Sequence, residues 1–228
     1  MTIAAIIVAA GRGTRAGGNM PKQWQNLNGA PVIARTIAAL RPHVDQIAVV
    51  LHPDDTAHWT ALGISVDYVV TGAATRDGSV RAGLDAFASA PPELVLIHDA
   101  ARPLVSAQIV TDVICALKTH QAAAPALPVT DALWTGADGM VNGTQDRDGL
   151  YRAQTPQGFH YSTIVAAHAA LSGPTTDDVA VACAAGIDVT IVAGETTNIK
   201  ITSPDDFLRA TKLLGADMDV RCGNGYDV

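Results

Sequence analysis

The sequence predicts an α/β protein built on a doubly wound, mainly parallel sheet, with an extended β-arm leaving it. Three observations point there. Short apolar runs alternate along the chain with segments of helical periodicity, the pattern of βαβ units. The first run, Ile3 to Val8, opens at once into a glycine loop, as a strand does when its carboxyl end meets a ligand. One stretch, from Thr130 to Thr155, has no helical period and is punctuated by Gly136, Gly139, Gly143 and Gly149.

In chain order, strands are expected at Ala4–Val8, Ile47–Leu51, Val66–Val70, Leu94–Ile97, Ala123–Leu127 and Val189–Val192, with Asn198–Ile201 a further candidate. Pro31 opens the first helix, whose Val32, Ile33, Ile37 and Leu40 share a face. Asp77 stands before the second, with Val80, Leu84 and Phe87 at helical spacing. Ser106 caps the third, which carries Ile109, Val110, Val113, Ile114 and Leu117. Ser203-Pro204-Asp205-Asp206 starts the last helix, combining a cap, a proline at the first position and acids at the positive end. The 130–155 stretch reads as a β-excursion. A two-stranded arm alone is marginal in water, so it is expected to pack on a second subunit, the alternative being a long flexible loop.

The chain has 228 residues and 48% apolar side chains, enough for one well-cored domain. Residues 1–217 are expected to form it, and 218–228 to be a linker. A net charge of −7 argues against a general nucleic-acid surface. No stretch reaches the ~18 apolar residues of a membrane span. Residues 2–10 lack the basic start and the length of a signal peptide. Cys115, Cys183 and Cys222 are odd in number and scattered, which fits reduced thiols and no zinc site. A cytoplasmic location follows as the expectation.

The loop after the first strand carries the chemistry. Ala9, Ala10, Gly11 and Gly13 let backbone N–H groups come close to a phosphate, and Arg12, Arg15 and Lys22 bring charge to it. Opposite unit charges about 4 Å apart interact by roughly 4 kcal/mol at an effective dielectric near 20. The glycines also fit a dinucleotide fingerprint, but that pattern wants an acid about 20 residues on, and Pro31 to Arg41 contains none. No Gly-Lys-Ser/Thr follows, so it is not a Walker loop either. A nucleoside triphosphate fits best.

Four further clusters stand at strand ends or loops. In His98-Asp99-Ala100-Ala101-Arg102-Pro103, Asp99 can accept from hydroxyls and Arg102 can grip a phosphate, or the two can pair with each other. In Arg76-Asp77-Gly78-Ser79, Ser79 and backbone amides can read a base edge, or Asp77 is an ordinary cap. Asp146-Arg147-Asp148-Gly149, leading to Gln154-Thr155-Pro156-Gln157, puts Arg147 and Thr155 at the end of the excursion. Asn198-Ile199-Lys200 sets a lysine at a late strand end.

Together and in order these runs resemble the 2-C-methyl-D-erythritol 4-phosphate cytidylyltransferases, from Ile3 to about Leu214. The resemblance implies a Rossmann-like nucleotidyltransferase fold and transfer of a cytidylyl group from CTP to methylerythritol phosphate, with Mg²⁺ and release of pyrophosphate. It implies that Arg15 and Lys22 stabilise the transition state and that Lys200 contacts the α-phosphate. Ala9 to Gly11 would line the nucleotide, with Arg76 and Ser79 against the cytosine pocket. Asp99, Arg102, Arg147 and Thr155 would bind methylerythritol phosphate, Arg147 being donated across a homodimer by the arm. No protein ligand to the metal is implied. One position departs from the pattern: Ala132 stands where the family usually has a substrate-contacting Thr, with Thr130 nearby. Arg221 to Val228 resembles the opening of the cyclodiphosphate synthases that some bacteria fuse to these enzymes. The rival readings are a cytidylyltransferase for another polyol phosphate, such as ribitol 5-phosphate, and an inactive nucleotide-binding dimerisation module.

Overall fold

A strand that is apolar at every position has no face to give to water and must be covered on both sides. In the computed structural model of the chain, which describes residues 1–12, 20–171, 173, 175 and 177–215, that run is the central strand β1 (Ile3–Ala9). After it come the short pair β2 (Asn26–Leu27) and β3 (Ala30–Pro31), then α1 (Val32–Leu40), β4 (Gln46–Leu51), α2 (Thr56–Leu62), β5 (Tyr68–Thr71), α3 (Arg76–Asp85) and β6 (Leu94–Asp99). The second half runs α4 (Ala107–Ala116), β7 (Ala122–Pro128), β8 (Leu133–Ala137), β9 (Met140–Gln145), β10 (Tyr151–Ala153), β11 (Gln157–His160), α5 (Tyr161–Ala170), α6 (Asp178–Ala184), β12 (Val189–Ala193) and α7 (Pro204–Gly215).

The main sheet has the order β10-β7-β11-β6-β1-β4-β5, with β12 also on β7. From β6 to β5 all pairs are parallel. Antiparallel β11 then joins β6 to β7. Strand β10 continues along the same edge of β7 beside Ala126–Pro128, and β12 runs parallel on the opposite edge. Alternate residues of β1 divide the core. Ala5 and Ile7 pack with Ile33, Ile37, Val110 and Val113 of α1 and α4. Ala4 and Ile6 pack with Val80, Leu84, Ile164 and Val181 of α3, α5 and α6. Helices therefore cover both faces, as a doubly wound sheet requires. A Cβ on Gly83 would come within 2.6 Å of Ile6 Cγ2, so α3 lies on β1 through this glycine.

Several boundaries differ from the expectation. The third strand begins at Tyr68, two residues late, and ends at Thr71. Asn198–Ile201 is not a strand; it is a loop pinned where Ile201 N–H donates to Ala101 O at 2.9 Å. The cap of α3 is Thr75, whose Oγ1 accepts from Gly78 N–H at 3.2 Å, and Asp77 lies inside the first turn. For α7 the expected start holds. Asp206 Oδ2 accepts from Thr202 and Ser203 N–H at 2.8 and 2.9 Å, and Ser203 Oγ accepts from Asp206 N–H at 3.2 Å.

The 130–155 excursion is β-structure. Strands β8 and β9 form a separate hairpin, closed by Asp138 and Gly139 at φ 51° and 78°, the positive pair that a type I′ turn demands. Strand β10 then rejoins the main sheet. Among the described residues no helix is long and apolar enough to cross a membrane. The 218–228 segment and the domain limit at 217 lie outside the described residues.

Candidate active site

Parallel strands deliver their loops to one end of the sheet, and there a cavity of about 310 Å³ opens. Ala9, Ala10, Gly11 and Lys22 wall it from the side of β1. Arg76 and Ser79 come from the start of α3, Asp99 from the end of β6, and Lys200 from the loop before α7. Eight of the residues singled out in the sequence are thus brought together. Gly13 and Arg15 lie outside the described residues.

Asp99 is the electrostatic hub. Lys200 Nζ stands 2.8 Å from its Oδ2, and Arg102 Nε is 3.8 Å from the same oxygen. Burial alone would push this carboxyl up. The positive charge of Lys200, then that of Arg76, the Lys200 hydrogen bond and Arg102 outweigh burial and bring it down to about 2. Asp99 is therefore ionised at neutral pH and fixes the lysine ammonium in the cavity wall. The Arg76 guanidinium has its own anchor, Asp178 of α6, with Nη1 2.8 Å from Oδ2.

Ser79 turns its hydroxyl inward. Its Oγ accepts from Ala73 N–H at 3.0 Å and donates to Thr75 O at 2.9 Å, so it shapes the 73–75 loop that lines the cavity. A Cβ on Gly72 would fall 2.6 Å from Ala10 Cβ, which only glycine avoids as this loop crosses the end of β1. Gln23 performs the matching task on the other side. Buried at 2% exposure, its Nε2 donates to Ala9 O at 2.9 Å and reaches Gly11 O at 3.2 Å.

The Thr-Pro-Gln run lies beneath the cavity. Thr155, 4% exposed, accepts from Asp99 N–H at 3.2 Å, and its Oγ1 is 3.0 Å from His98 Nδ1. His98 Nε2 is 3.1 Å from Arg102 O. A carbonyl only accepts, so Nε2 carries the proton, Nδ1 accepts, and Thr155 donates to it. Gln154 donates to Glu195 O at 2.7 Å and accepts from Glu195 N–H at 3.1 Å. Asn198 Nδ2 donates to Thr155 O at 3.0 Å. Gln157 Oε1 accepts from Asp178 N–H at 3.0 Å. This one short run therefore ties together β6, the Lys200 loop and the start of α6.

Three expected residues are not in the cavity wall. Arg102, 9% exposed, gives Nη1 to Asn198 O at 2.7 Å and Nη2 to Ala153 O at 3.2 Å, clamping the Lys200 loop to β10. Thr155 is enclosed as described. Arg147 is exposed at the base of the arm and donates to Thr130 O. Arg12 also stands away from the cavity, paired with Asp54 and with Asp55 Oδ1 at 3.0 Å; two acids in the turn just before α2 take the charge that its position in the glycine loop suggested for phosphate. Sequence reasoning gave no role to Gln23, His98, Gln154, Asn198 or Asp178. No local signal marked Gln154 and Asn198, whose sequence neighbours include Arg152, Thr155, Thr197 and Lys200.

A glycine loop, two lysines and an arginine around one buried carboxylate, at the carboxyl end of a doubly wound sheet, define a nucleotidyltransferase. The chain belongs to the family described as IspD, 2-C-methyl-D-erythritol 4-phosphate cytidylyltransferase, whose model matches residues 3–216. A cytidylyltransferase of that name from Cereibacter sphaeroides is 57% identical over 219 residues, covering 94% of this chain and 97% of the relative. The bifunctional enzyme IspD/IspF of Ruegeria pomeroyi is 55% identical over 230 residues, and this chain spans 61% of that protein's length. Among solved structures, the 4-diphosphocytidyl-2C-methyl-D-erythritol synthase of Anaerococcus prevotii is similar with a TM-score of 0.78 at 30% identity, over 93% of this chain and 96% of that one.

Proposed function

We propose that this chain transfers the cytidylyl group of CTP to 2-C-methyl-D-erythritol 4-phosphate and releases pyrophosphate. The observation that carries the reading is the set of Lys22, Arg76 and Lys200 around Asp99 in one cavity at the end of β1 and β6. The relatives' names support the acceptor.

A phosphate oxygen of the acceptor attacks the α-phosphorus of CTP; the new P–O bond forms as the bond to the β-phosphate oxygen breaks, and pyrophosphate carries the electron pair away. The nucleophile is already anionic, so no covalent enzyme intermediate and no essential general base are needed. Catalysis is then positioning and charge stabilisation. Lys22 and Arg15 hold the triphosphate as charge develops, and Lys200, oriented by Asp99, meets the α-phosphate. Ala9, Ala10, Gly11 and Gly13 line the nucleotide, and the 73–75 loop fixed by Ser79 holds the base beside Arg76. Asp99, Arg102, Arg147 and Thr155 form the acceptor side, Arg102 and Thr155 by fixing its walls and Arg147 by reaching across a homodimer. The apolar side chains exposed on the arm support that dimer.

Mg²⁺ belongs to this reading. It habitually keeps waters and takes phosphates with one or two carboxylates. Among the described residues no three His, Cys, Asp or Glu side chains stand together as a ligand set. Asp99 is the carboxylate in the wall, and Lys200 occupies it. The nucleotide's own phosphates would thus hold the ion, which neutralises their charge when bound. The reading also takes residues 1–217 as the cytidylyltransferase domain, 218–228 as a linker toward a second domain, and the cytoplasm as the location.

The test is pyrophosphate release with CTP, ATP, GTP or UTP, each offered methylerythritol phosphate or ribitol 5-phosphate. Turnover with CTP and methylerythritol phosphate well above the other pairs is expected. A preference for ribitol 5-phosphate would overturn the acceptor, and no release with any pair would overturn the activity.

A further inference from the structure

Asp178 is a buried carboxylate that the proposed reaction does not use. Its side chain is 1% exposed, an expensive place for a charge, and apolar residues in such positions are often no worse for stability. Its partners show where it acts. One oxygen, Oδ2, lies 2.8 Å from Arg76 Nη1, and the other, Oδ1, lies 3.2 Å from Nε2 of His168 on α5. His168 Nε2 donates, because a carboxylate accepts. The main chain of Asp178 is fixed as well, since Gln157 Oε1 accepts from its N–H at 3.0 Å and from Val179 N–H at 3.2 Å. The carboxylate is thus held from α5, and the backbone that carries it from the Thr-Pro-Gln run. The Arg76 side chain, 24% exposed, passes from this anchor into the cavity wall. With Nη1 taken, its other N–H groups have no hydrogen-bond partner among the described residues and are left to the ligand.

We infer that Asp178, braced by His168, is a positioning residue that orients the Arg76 guanidinium toward the bound nucleotide. It rests on the reading of the cavity as a CTP site. A flexible arginine free to sample its rotamers would lose that freedom on binding. One already held on a buried carboxylate has lost it beforehand, so the gain appears as nucleotide affinity.

The experiment measures CTP binding by calorimetry, with Mg²⁺, for the wild type, Asp178→Asn, Arg76→Ala and the double variant. Asp178→Asn should weaken CTP binding by at least about tenfold, as truncating one partner of a buried charge pair does. The Michaelis constant for the acceptor should stay within about twofold, far inside that single-decade effect. A residue that acts through Arg76 has nothing left to act on once Arg76 is gone, so the double variant should bind no more weakly than Arg76→Ala. Additive losses, or CTP bound equally by wild type and Asp178→Asn, would overturn the inference while leaving the CTP site intact. A wild type that binds no CTP would overturn the cavity assignment, and the inference with it. If Asp178→Asn does not fold by circular dichroism, Arg76→Ala/Asp178→Ala, which removes both charges at once, is compared with Arg76→Ala. A further loss of affinity in that pair overturns the inference, and equal affinity supports it.

Discussion

Around the cavity, polar side chains are buried and hold one another. Gln23 is 2% exposed, Thr155 4% and Gln154 6%, and each has its partners within the chain. In the arm the reverse holds. Trp134 is 68% exposed and Met140 73%, with Val141 and Tyr151 also in solvent. Interiors close around satisfied polar groups, whereas clustered exposed apolar side chains mark a surface that a partner covers. On the proposed reading, the described walls of the nucleotide cavity come from one chain, and the arm is the part that a second copy would finish. Each expectation below breaks one side of that contrast and leaves the other standing.

The largest effect is expected at the self-sufficient side. Removing one preorganised donor typically lowers turnover by about 10²–10³, and Lys22→Ala should fall in that range at saturating CTP and Mg²⁺. Near wild-type turnover would remove Lys22 from the charge-stabilising set. The arm is probed by complementation. Lys22→Ala and Arg147→Ala are each expected to be nearly inactive alone. In a two-fold dimer with sites shared across the interface, an equal mixture should recover about a quarter of wild-type activity, because half the dimers are mixed and each has one intact site. No recovery after subunit exchange would confine Arg147 to its own chain. Trp134→Glu should shift the molecular mass by light scattering from dimer to monomer.

A smaller effect is expected from the scaffold below the cavity. Gln154→Ala leaves Glu195 N–H and O and Asn198 Nδ2 short of a partner. Each unsatisfied buried group costs about 1–3 kcal/mol, so the urea midpoint should fall. Turnover should fall with it, because the loop before Lys200 loses the Gln154 bonds to Glu195 and Asn198. Unchanged turnover in a folded variant would separate the scaffold from the lysine.

The same contrast explains what could be read in the sequence. Strands β1, β4 and β6 announce themselves because both their faces are buried, and the loop cations follow because glycine next to arginine is unusual at a strand end. The arm was legible from its missing helical period and from Gly136, Gly139, Gly143 and Gly149. By contrast α5, Tyr-Ser-Thr-Ile-Val-Ala-Ala-His-Ala-Ala, is alanine-rich on every side and shows no face, and α6 spans only Asp178–Ala184. With both helices unread, His168 and Asp178 had nowhere to act. Gln23, Gln154 and Asn198 gain their meaning from contacts 12 to 96 residues away, which local pattern does not contain. Arg12 shows the opposite case: its loop position suggested phosphate, but Asp54 and Asp55 in the turn just before α2 pair with it, and no local signal placed them beside it.

The smallest effect separates two buried groups, Asp99 in the cavity wall and His98 beside it in the chain, by pH. Burial pushes His98 from its ordinary 6.5 down to about 4, against the upward pull of its bond to Arg102 O and of Asp99. Between those two values the unfolded chain binds a proton at this site that the native chain refuses. Stability contributed here is thus whole above pH 6.5 and declines as pH falls toward 4, with a slope approaching about 1.4 kcal/mol per pH unit. Asp99, held at about 2 in the fold, behaves differently. Its contribution is whole above its ordinary 3.8 and is lost only as pH drops from there toward 2. In His98→Gln an amide N–H can still donate to Arg102 O but cannot titrate. The urea midpoint of this variant, followed from pH 7 to 2, should decline less steeply than that of the wild type between pH 6.5 and 4 by the equivalent of one proton, while the loss below pH 4 persists. Equal slopes from pH 6.5 to 4 would mean that His98 is already charged in the native fold, and that the donor order from Asp99 N–H through Thr155 to His98 Nδ1 is wrong.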